Sequence, residues 1–336
     1  MRSFARTKRL AGTLAVSAAA LFASSPAGAF CRTKTVLAPA NFDSTLKGCF
    51  EGGVPLFWRN ACVGYDVHDP PSRKVSYDDA SNAISIAFTR WTGASCPTDG
   101  IGRSRASIDV RDLGPVACAT VEQLPNKDNQ ATHNQNVIIF RDDEWIHGPE
   151  VLGLTIVSFL KETGEILGAD MEINTKDMEP VTFRDPDPVD NVARVDGKKA
   201  YDFLSIVTHE AGHFLGIAHS EKKEATMYAR YNPGEVYFRD LAPDDVNAVC
   251  SIYRPDGTRP VLGDKIYSAP GCDPTPRGGL SRECDSPSSS CEVGRAPGRD
   301  ASCAVGWALA AALGLSVARR GREANAPREK GVGPGP

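Results

Sequence analysis

Residues 209–219 read His-Glu-Ala-Gly-His-Phe-Leu-Gly-Ile-Ala-His, and no other stretch constrains the fold as tightly. His209 and His213 are four residues apart, so on an α-helix both imidazoles leave one face. Glu210 lies about 100° round the helix from His209, poorly directed for a ligand. It is well directed to reach a water on a metal held by the two histidines, the general-base position of such a motif. His219 follows His213 by six residues, about 240° of helical rotation, and so faces elsewhere if the helix simply continues. The chain must turn, and Gly216 supplies a residue that tolerates the left-handed conformation at a helix end. Three histidines with an open fourth position point to a catalytic zinc. The alternatives are a surface helix with solvated histidines, or a closed structural zinc completed by a fourth protein ligand.

Eight residues past His219 stands Met227, in Glu224-Ala225-Thr226-Met227-Tyr228. Alone it reads as core filler. Behind HExxHxxGxxH it resembles the methionine turn of the metzincin metalloproteases. Within that group the chain is most similar to the matrixins. The resemblance rests on His219-Ser220, on Met227-Tyr228, on Leu241-Ala242-Pro243-Asp244-Asp245-Val246 and on Gly168-Ala169-Asp170-Met171-Glu172-Ile173-Asn174, and covers residues 54–254. It implies an α+β domain: a twisted mixed sheet of about five strands over an active-site helix, a Met-turn and a C-terminal helix. It also implies Zn²⁺ on His209, His213 and His219, Glu210 as general base, and Gly216, Met227 and Tyr228 as structural support. The implied substrate is a protein or peptide lying antiparallel to an edge strand, for which Val151–Phe159 is the candidate. The loop from Ala229 to Arg239 would shape the pocket just past the cut bond.

The chain departs from the matrixin pattern in two respects. No segment matches the cysteine switch of the matrixin pro-domain, and residues 30–53 are too few for a domain of that size. His68, His133 and His147 are scattered, as ordinary histidines would be, rather than clustered for a second zinc. Asp185, Asp187, Asp190 and Asp196 lie in a polar stretch between 174 and 199. They read either as a Ca²⁺-binding loop or as a solvated acidic one.

Periodicity supplies the rest of the domain. Leu56–Val67 reads as a first strand, and Tyr77–Thr92 as a helix with Ala80, Ile84, Ala87, Phe88 and Trp91 inward. Ala106–Val110 and Asn136–Phe140 read as short strands. Val151–Leu160 and Ile166–Ile173 flank Glu162-Thr163-Gly164-Glu165 and read as a hairpin. Tyr201–Leu215 is the motif helix. Pro243 opens a last helix, with Asp244 and Asp245 near its positive end.

Residues 1–29 read as a secretory signal peptide, with Arg2, Arg6, Lys8 and Arg9 before an apolar run and Ala27-Gly28-Ala29 at the cleavage site. The expected organisation continues with an N-terminal segment (30–53), the metalloprotease domain (54–256), a Pro/Gly/Ser-rich linker (257–302), a sorting or anchor segment (303–322) and a polar tail. Cys303, the apolar run 304–318 and Arg319, Arg320 and Arg322 resemble the C-terminal sorting signals of myxobacterial exported proteins. This implies a secreted or cell-surface protein. The ten cysteines lack CxxC spacing, which with a leader favours disulfides over metal thiolates. A local Cys96–Cys118 bridge is the expected pairing, and a free thiol of Cys31, Cys49 or Cys62 is a candidate latency cap on the zinc. A net charge of −4 without a basic stripe gives no support to nucleic-acid binding. The expected protein is a monomeric zinc endopeptidase. The competing reading is a surface binding or adhesion protein on an inert metzincin scaffold.

Overall fold

The computed structural model describes residues 30–39, 41–98, 103–121, 136–179 and 181–276. The leader, His133, Cys284, Cys291, Cys303 and the C-terminal apolar run lie outside the described residues. In chain order the principal elements are β1 (Cys31–Arg32), α1 (Ser44–Lys47), β2 (Cys62–His68), α2 (Tyr77–Thr92), β3 (Asp109–Val116), β4 (Val137–Phe140), β5 (Gly153–Phe159), β6 (Ile166–Ile173), α3 (Phe203–Phe214), β7 (Ile217–Ala218), α4 (Pro243–Ile252), β8 (Thr258–Pro260) and β9 (Ile266–Ser268).

The main sheet has five strands in the order β3-β2-β4-β6-β5. All neighbours are parallel except β5, which runs antiparallel to β6 along one edge. Side-chain chemistry follows position in the sheet. The interior strands β4 and β6 are buried at every residue and read Val-Ile-Ile-Phe and Ile-Leu-Gly-Ala-Asp-Met-Glu-Ile. The edge strand β3 exposes Arg111 and Asp112, as a strand with one free side can. The sheet is thus the mixed five-stranded one of the expected α+β class.

Two helices pack on it. In α2 the Ser76 hydroxyl caps the start by accepting from the Asp79 N–H at 3.1 Å, and Ala80, Ile84, Ala87, Phe88 and Trp91 are buried, the face the periodicity predicts. In α3, Asp202 is the N-cap, accepting from the Ser205 N–H at 3.0 Å. That carboxylate is fully buried, and Arg239 pairs with both its oxygens at 2.8 and 2.6 Å. Where α2 meets α3, the Trp91 indole N–H donates to Thr208 O at 2.8 Å, and Phe88 meets Phe214 edge-on at 5.0 Å. An aromatic side chain buried this completely contributes roughly 2–3 kcal/mol.

The structure differs from the expected elements at several points. The first strand begins at Cys62 rather than Leu56, because Arg59 and Asn60 form an exposed corner before it. The strand expected at Ala106–Val110 runs instead from Asp109 to Val116. Residues 258–268, expected within the linker, form a hairpin on the domain. Arg259 anchors it: fully buried, it donates to Ser107 Oγ and Ser107 O at 2.7 Å and lies over the Tyr253 ring.

The cysteines overturn two expectations. Cys96 pairs with Cys250 of α4 and not with Cys118, because the chain after α2 turns back to pass against the last helix. Cys118 is itself disulfide-bonded. Cys31 pairs with Cys49 and Cys62 with Cys272, so none of the three is a free thiol able to cap a metal.

Candidate active site

The site begins at the last turns of α3. His209 and His213 project from one face as their spacing requires. Leu215 ends the helix, and Gly216 takes φ +84°, which lets the chain reverse into β7 and bring His219 back. A side chain at Gly216 would also press on Leu56 O, 3.0 Å from a Cβ there. The ring centroids of the three imidazoles are 4.7 to 5.2 Å apart. Their candidate ligand atoms all lie within 4.8 Å of one another, and no other group of His, Cys, Asp or Glu converges in this way among the described residues.

Hydrogen bonds fix which nitrogen faces the centre. His209 Nδ1 lies 2.7 Å from Thr226 O, and His213 Nδ1 lies 2.8 Å from Ile217 O. A carbonyl can only accept, so both Nδ1 atoms carry the proton and each Nε2 presents a lone pair. His213 Nε2 and His219 Nε2 then stand 3.1 Å apart. Tetrahedral zinc with Zn–N of about 2.0–2.1 Å requires N···N separations of about 3.3 Å, so this pair is spaced to share that ion. Burial pushes His209 down to about 3 and His219 well below the usual imidazole range, helped in both by the neighbouring rings. Both are therefore neutral donors at physiological pH.

Glu210 is 5% exposed, and burial pushes its carboxyl up despite the Thr155 hydroxyl and His213, which pull it down. Thr155 Oγ1 donates to Glu210 Oε2 at 2.7 Å, so the edge strand β5 aims the carboxyl. Gly153 leaves the room: a Cβ there would stand 2.8 Å from Glu210 Cγ and Oε1.

Under the triad, Met227 is 1% exposed and fills the space above Gly212, whose hypothetical Cβ would lie 2.2 Å from Met227 Sδ and 2.7 Å from Trp91 Cζ2. Asp245 holds this turn. Its carboxylate accepts from the Thr226 N–H at 2.7 Å, the Met227 N–H at 3.1 Å and the Ala242 N–H at 2.9 Å. Burial nevertheless pushes Asp245 up to about 6, the three N–H groups opposing it. Asp244 accepts from Ser220 Oγ at 2.7 Å, next to His219. The two aspartates thus tie α4 to the third histidine and to the Met-turn, a role beyond the helix-end electrostatics that the sequence indicated.

A cleft of about 510 Å³ runs past these groups, bounded by Leu152, Leu154, Thr155, Tyr228, Tyr231 and Phe238. Tyr228, Tyr231 and Phe238 come from the Met-turn and the segment after it, the stretch expected to shape the pocket. Sequence reasoning missed Gly153, Thr155, Gly212 and the anchoring role of Asp245. Of these, only Gly212, inside the motif, carried a local signal: a glycine in a helix interior marks a close approach. A larger cavity of about 810 Å³, lined by His68, Arg141, Trp145, His147 and Glu172 among others, lies apart from the triad. Arg141 is paired with Glu172 at 2.5 Å and His147 lies 3.4 Å from the same carboxylate. The aspartates of the acidic stretch do not gather: Asp185 pairs with Arg239 at 2.8 Å and Asp190 with Arg194 at 2.7 Å.

Comparison with known proteins agrees with this geometry. Residues 124–254 match the family model described as Matrixin. The chain is 36% identical over 92 residues to the probable matrix metalloproteinase 095L of Invertebrate iridescent virus 3, covering 27% of this chain and 22% of that protein. It is 38% identical over 68 residues to Metalloendoproteinase 1-MMP of Arabidopsis thaliana, covering 20% and 18%. It is 29% identical over 207 residues to Matrix metalloproteinase-C of Caenorhabditis elegans, covering 60% and 29%. The chain therefore spans less than a third of the length of these relatives. The match and the relatives support a metzincin-type, matrixin-like metalloprotease, and with it zinc as the metal. The disulfides are consistent with export. Among the described residues no helix is long and apolar enough to cross a membrane.

Proposed function

We propose that this chain is an exported zinc endopeptidase in which His209, His213 and His219 hold the metal and Glu210 is the general base. The observation that carries the reading is the convergence of three imidazoles, with burial lowering the proton affinity of His209 and His219, beside a buried carboxyl whose proton affinity is raised. Zinc bound there would lower the pKa of water toward neutrality and polarise the substrate carbonyl. Glu210 takes the proton of the attacking water and passes it to the departing amine. Thr155 fixes one oxygen of that carboxyl and so orients the other. The peptide lies antiparallel along the outer edge of β5, adding a strand to the sheet. Gly216 and Met227 hold the geometry, and Tyr228 forms part of the cleft wall. The leader at 1–29 directs export, and the segment at 303–322 directs sorting to the cell surface. The other segments keep the bounds expected from the sequence, while the catalytic domain extends past 256 to take in the hairpin of residues 258–268.

The test is casein or gelatin hydrolysis by the purified protein, with zinc measured on the same sample. Expected are about one zinc per chain, cleavage abolished by a chelator, and a fall of roughly 10²–10⁴-fold in Glu210→Gln with zinc retained. Full zinc-dependent cleavage by Glu210→Gln would falsify the assigned base. Bound zinc without hydrolysis of any broad substrate would favour the inert binding scaffold.

A further inference from the structure

The residues ahead of the matrixin match form part of the cleft. β1 pairs antiparallel with β7, the two residues immediately before His219. The Thr33 N–H donates to Gly216 O at 2.9 Å, and the Leu56 N–H donates to Thr33 O at 2.8 Å. The Cys31–Cys49 disulfide closes the following loop. A second anchor, Asp43 to Arg230 at 3.0 Å, ties the loop to the segment just past the Met-turn. Phe42 and Phe50 meet edge-on at 5.5 Å and give the loop an apolar interior. Held at both ends, it nevertheless leaves Val36 51% and Leu37 81% exposed.

Between this loop and the third histidine lies a cavity of about 210 Å³, lined among others by Val36, Leu37, Phe42, Phe50 and His219; its two cations are engaged elsewhere, Arg32 with Pro260 O and Leu56 O and Lys34 with Glu51. It shares Thr33 and His219 with the catalytic cleft, so the two adjoin at those residues. Its place along a bound peptide follows from the sheet. Glu210 stands beside Gly153 and Thr155, in the first half of β5. Gly216, which holds Thr33, lies against Ile166, and Ile166 pairs with Phe159 at the far end of β5. A peptide antiparallel to β5 has its N-terminal portion at that far end.

We propose that the Cys31–Cys49 loop builds an apolar subsite that takes an aliphatic or aromatic side chain of the peptide substrate on the N-terminal side of the cut bond. The proposal rests on the protease reading above. It makes a segment outside the matrixin match a determinant of specificity. Val36 and Leu37 supply the contact, and the disulfide with the Asp43–Arg230 pair holds them in place.

The experiment uses the full protein and internally quenched peptides that differ only at the two or three positions before the cut, carrying Leu, Asp or Lys there. The readout is the Leu-to-Asp ratio of kcat/KM within each protein, which cancels differences in folded fraction and metal content. For the wild type that ratio is expected to be about tenfold or more, the discrimination an apolar pocket gives. Leu37→Lys, and Val36→Lys combined with it, should lower the ratio by about tenfold, through gain on Asp peptides and loss on Leu peptides. Mass spectrometry confirms that the same bond is cut. An unchanged ratio overturns the subsite while leaving the protease reading intact. If the wild type cleaves neither these peptides nor a broad substrate, the protease reading fails and the subsite fails with it.

Discussion

Gly212→Ala sets two opposed effects against each other, and the structure decides between them. Replacing a helix-interior glycine with alanine stabilises an exposed helix by about 1 kcal/mol. Here the new Cβ would stand 2.2 Å from Met227 Sδ and 2.7 Å from Trp91 Cζ2. Ordinary carbon contacts are about 3.5–4.0 Å, so a neighbour must move by more than an ångström. Trp91 cannot yield, being fully buried with its indole N–H bonded to Thr208 O at 2.8 Å. Met227 must therefore shift, with the turn that carries the Thr226 carbonyl and so orients His209. Overpacking of this kind costs about 1–3 kcal/mol, leaving a net destabilisation of roughly 0–2 kcal/mol. Displacing the partner that orients a metal-ligating histidine should weaken zinc binding by about 10–100-fold. Urea unfolding with chelator present measures the first quantity, and zinc titration of the folded protein measures the second. In a double-mutant cycle, Met227→Ala should relieve the contact with Sδ but not that with Trp91, giving a partial coupling of about 0.5–3 kcal/mol. The reasoning is refuted if Gly212→Ala is more stable by the full helical gain and binds zinc as the wild type does.

Other perturbations test the frame around the site. Gly153→Ala would put a Cβ 2.8 Å from Glu210 Oε1, and should lower kcat by roughly 10–100-fold with zinc content unchanged, because the base is displaced and the ligands are not. Asp66 is buried with Oδ2 unpartnered among the described residues, and burial, then Asp112, pushes it up to about 7. Its folded value thus exceeds the unfolded one of about 3.9, so its ionisation costs stability as pH rises from about 4 to 7 and costs nothing below that window. Asp66→Asn should gain on the order of 2–4 kcal/mol over wild type at pH 8 and little at pH 4, as read by urea unfolding at both; an equal difference at the two pH values would exclude the assignment. Replacing Cys62 and Cys272 with Ala opens a crosslink of sequence separation 210, but the Cys96–Cys250 bridge already shortens that loop. About 4 kcal/mol should be lost, and a melting temperature within a degree or two of wild type would contradict this.

The features that local geometry dictates are those the sequence determined by itself. A four-residue spacing puts His209 and His213 on one helical face whatever surrounds them, and Gly216 marks the reversal because few other residues accept its φ of +84°. The buried face of Tyr77–Thr92 and the hairpin joining Val151–Leu160 to Ile166–Ile173 were equally visible, since each is set by a short-range period or turn. What the chain could not reveal locally are contacts between residues far apart in sequence. Thr155 reaches Glu210 across 55 residues, and Asp245 reaches the Thr226 N–H across 19. Cys96 bypasses its near neighbour Cys118 for Cys250, 154 residues on. Such partners are chosen by which faces pack once the sheet and helices assemble, and no periodicity in the sequence encodes that choice. The wall beside His219 belongs to the same class: residues 31–49 carry no motif, and only their strand pairing with residues 217–218 brings them to the cleft.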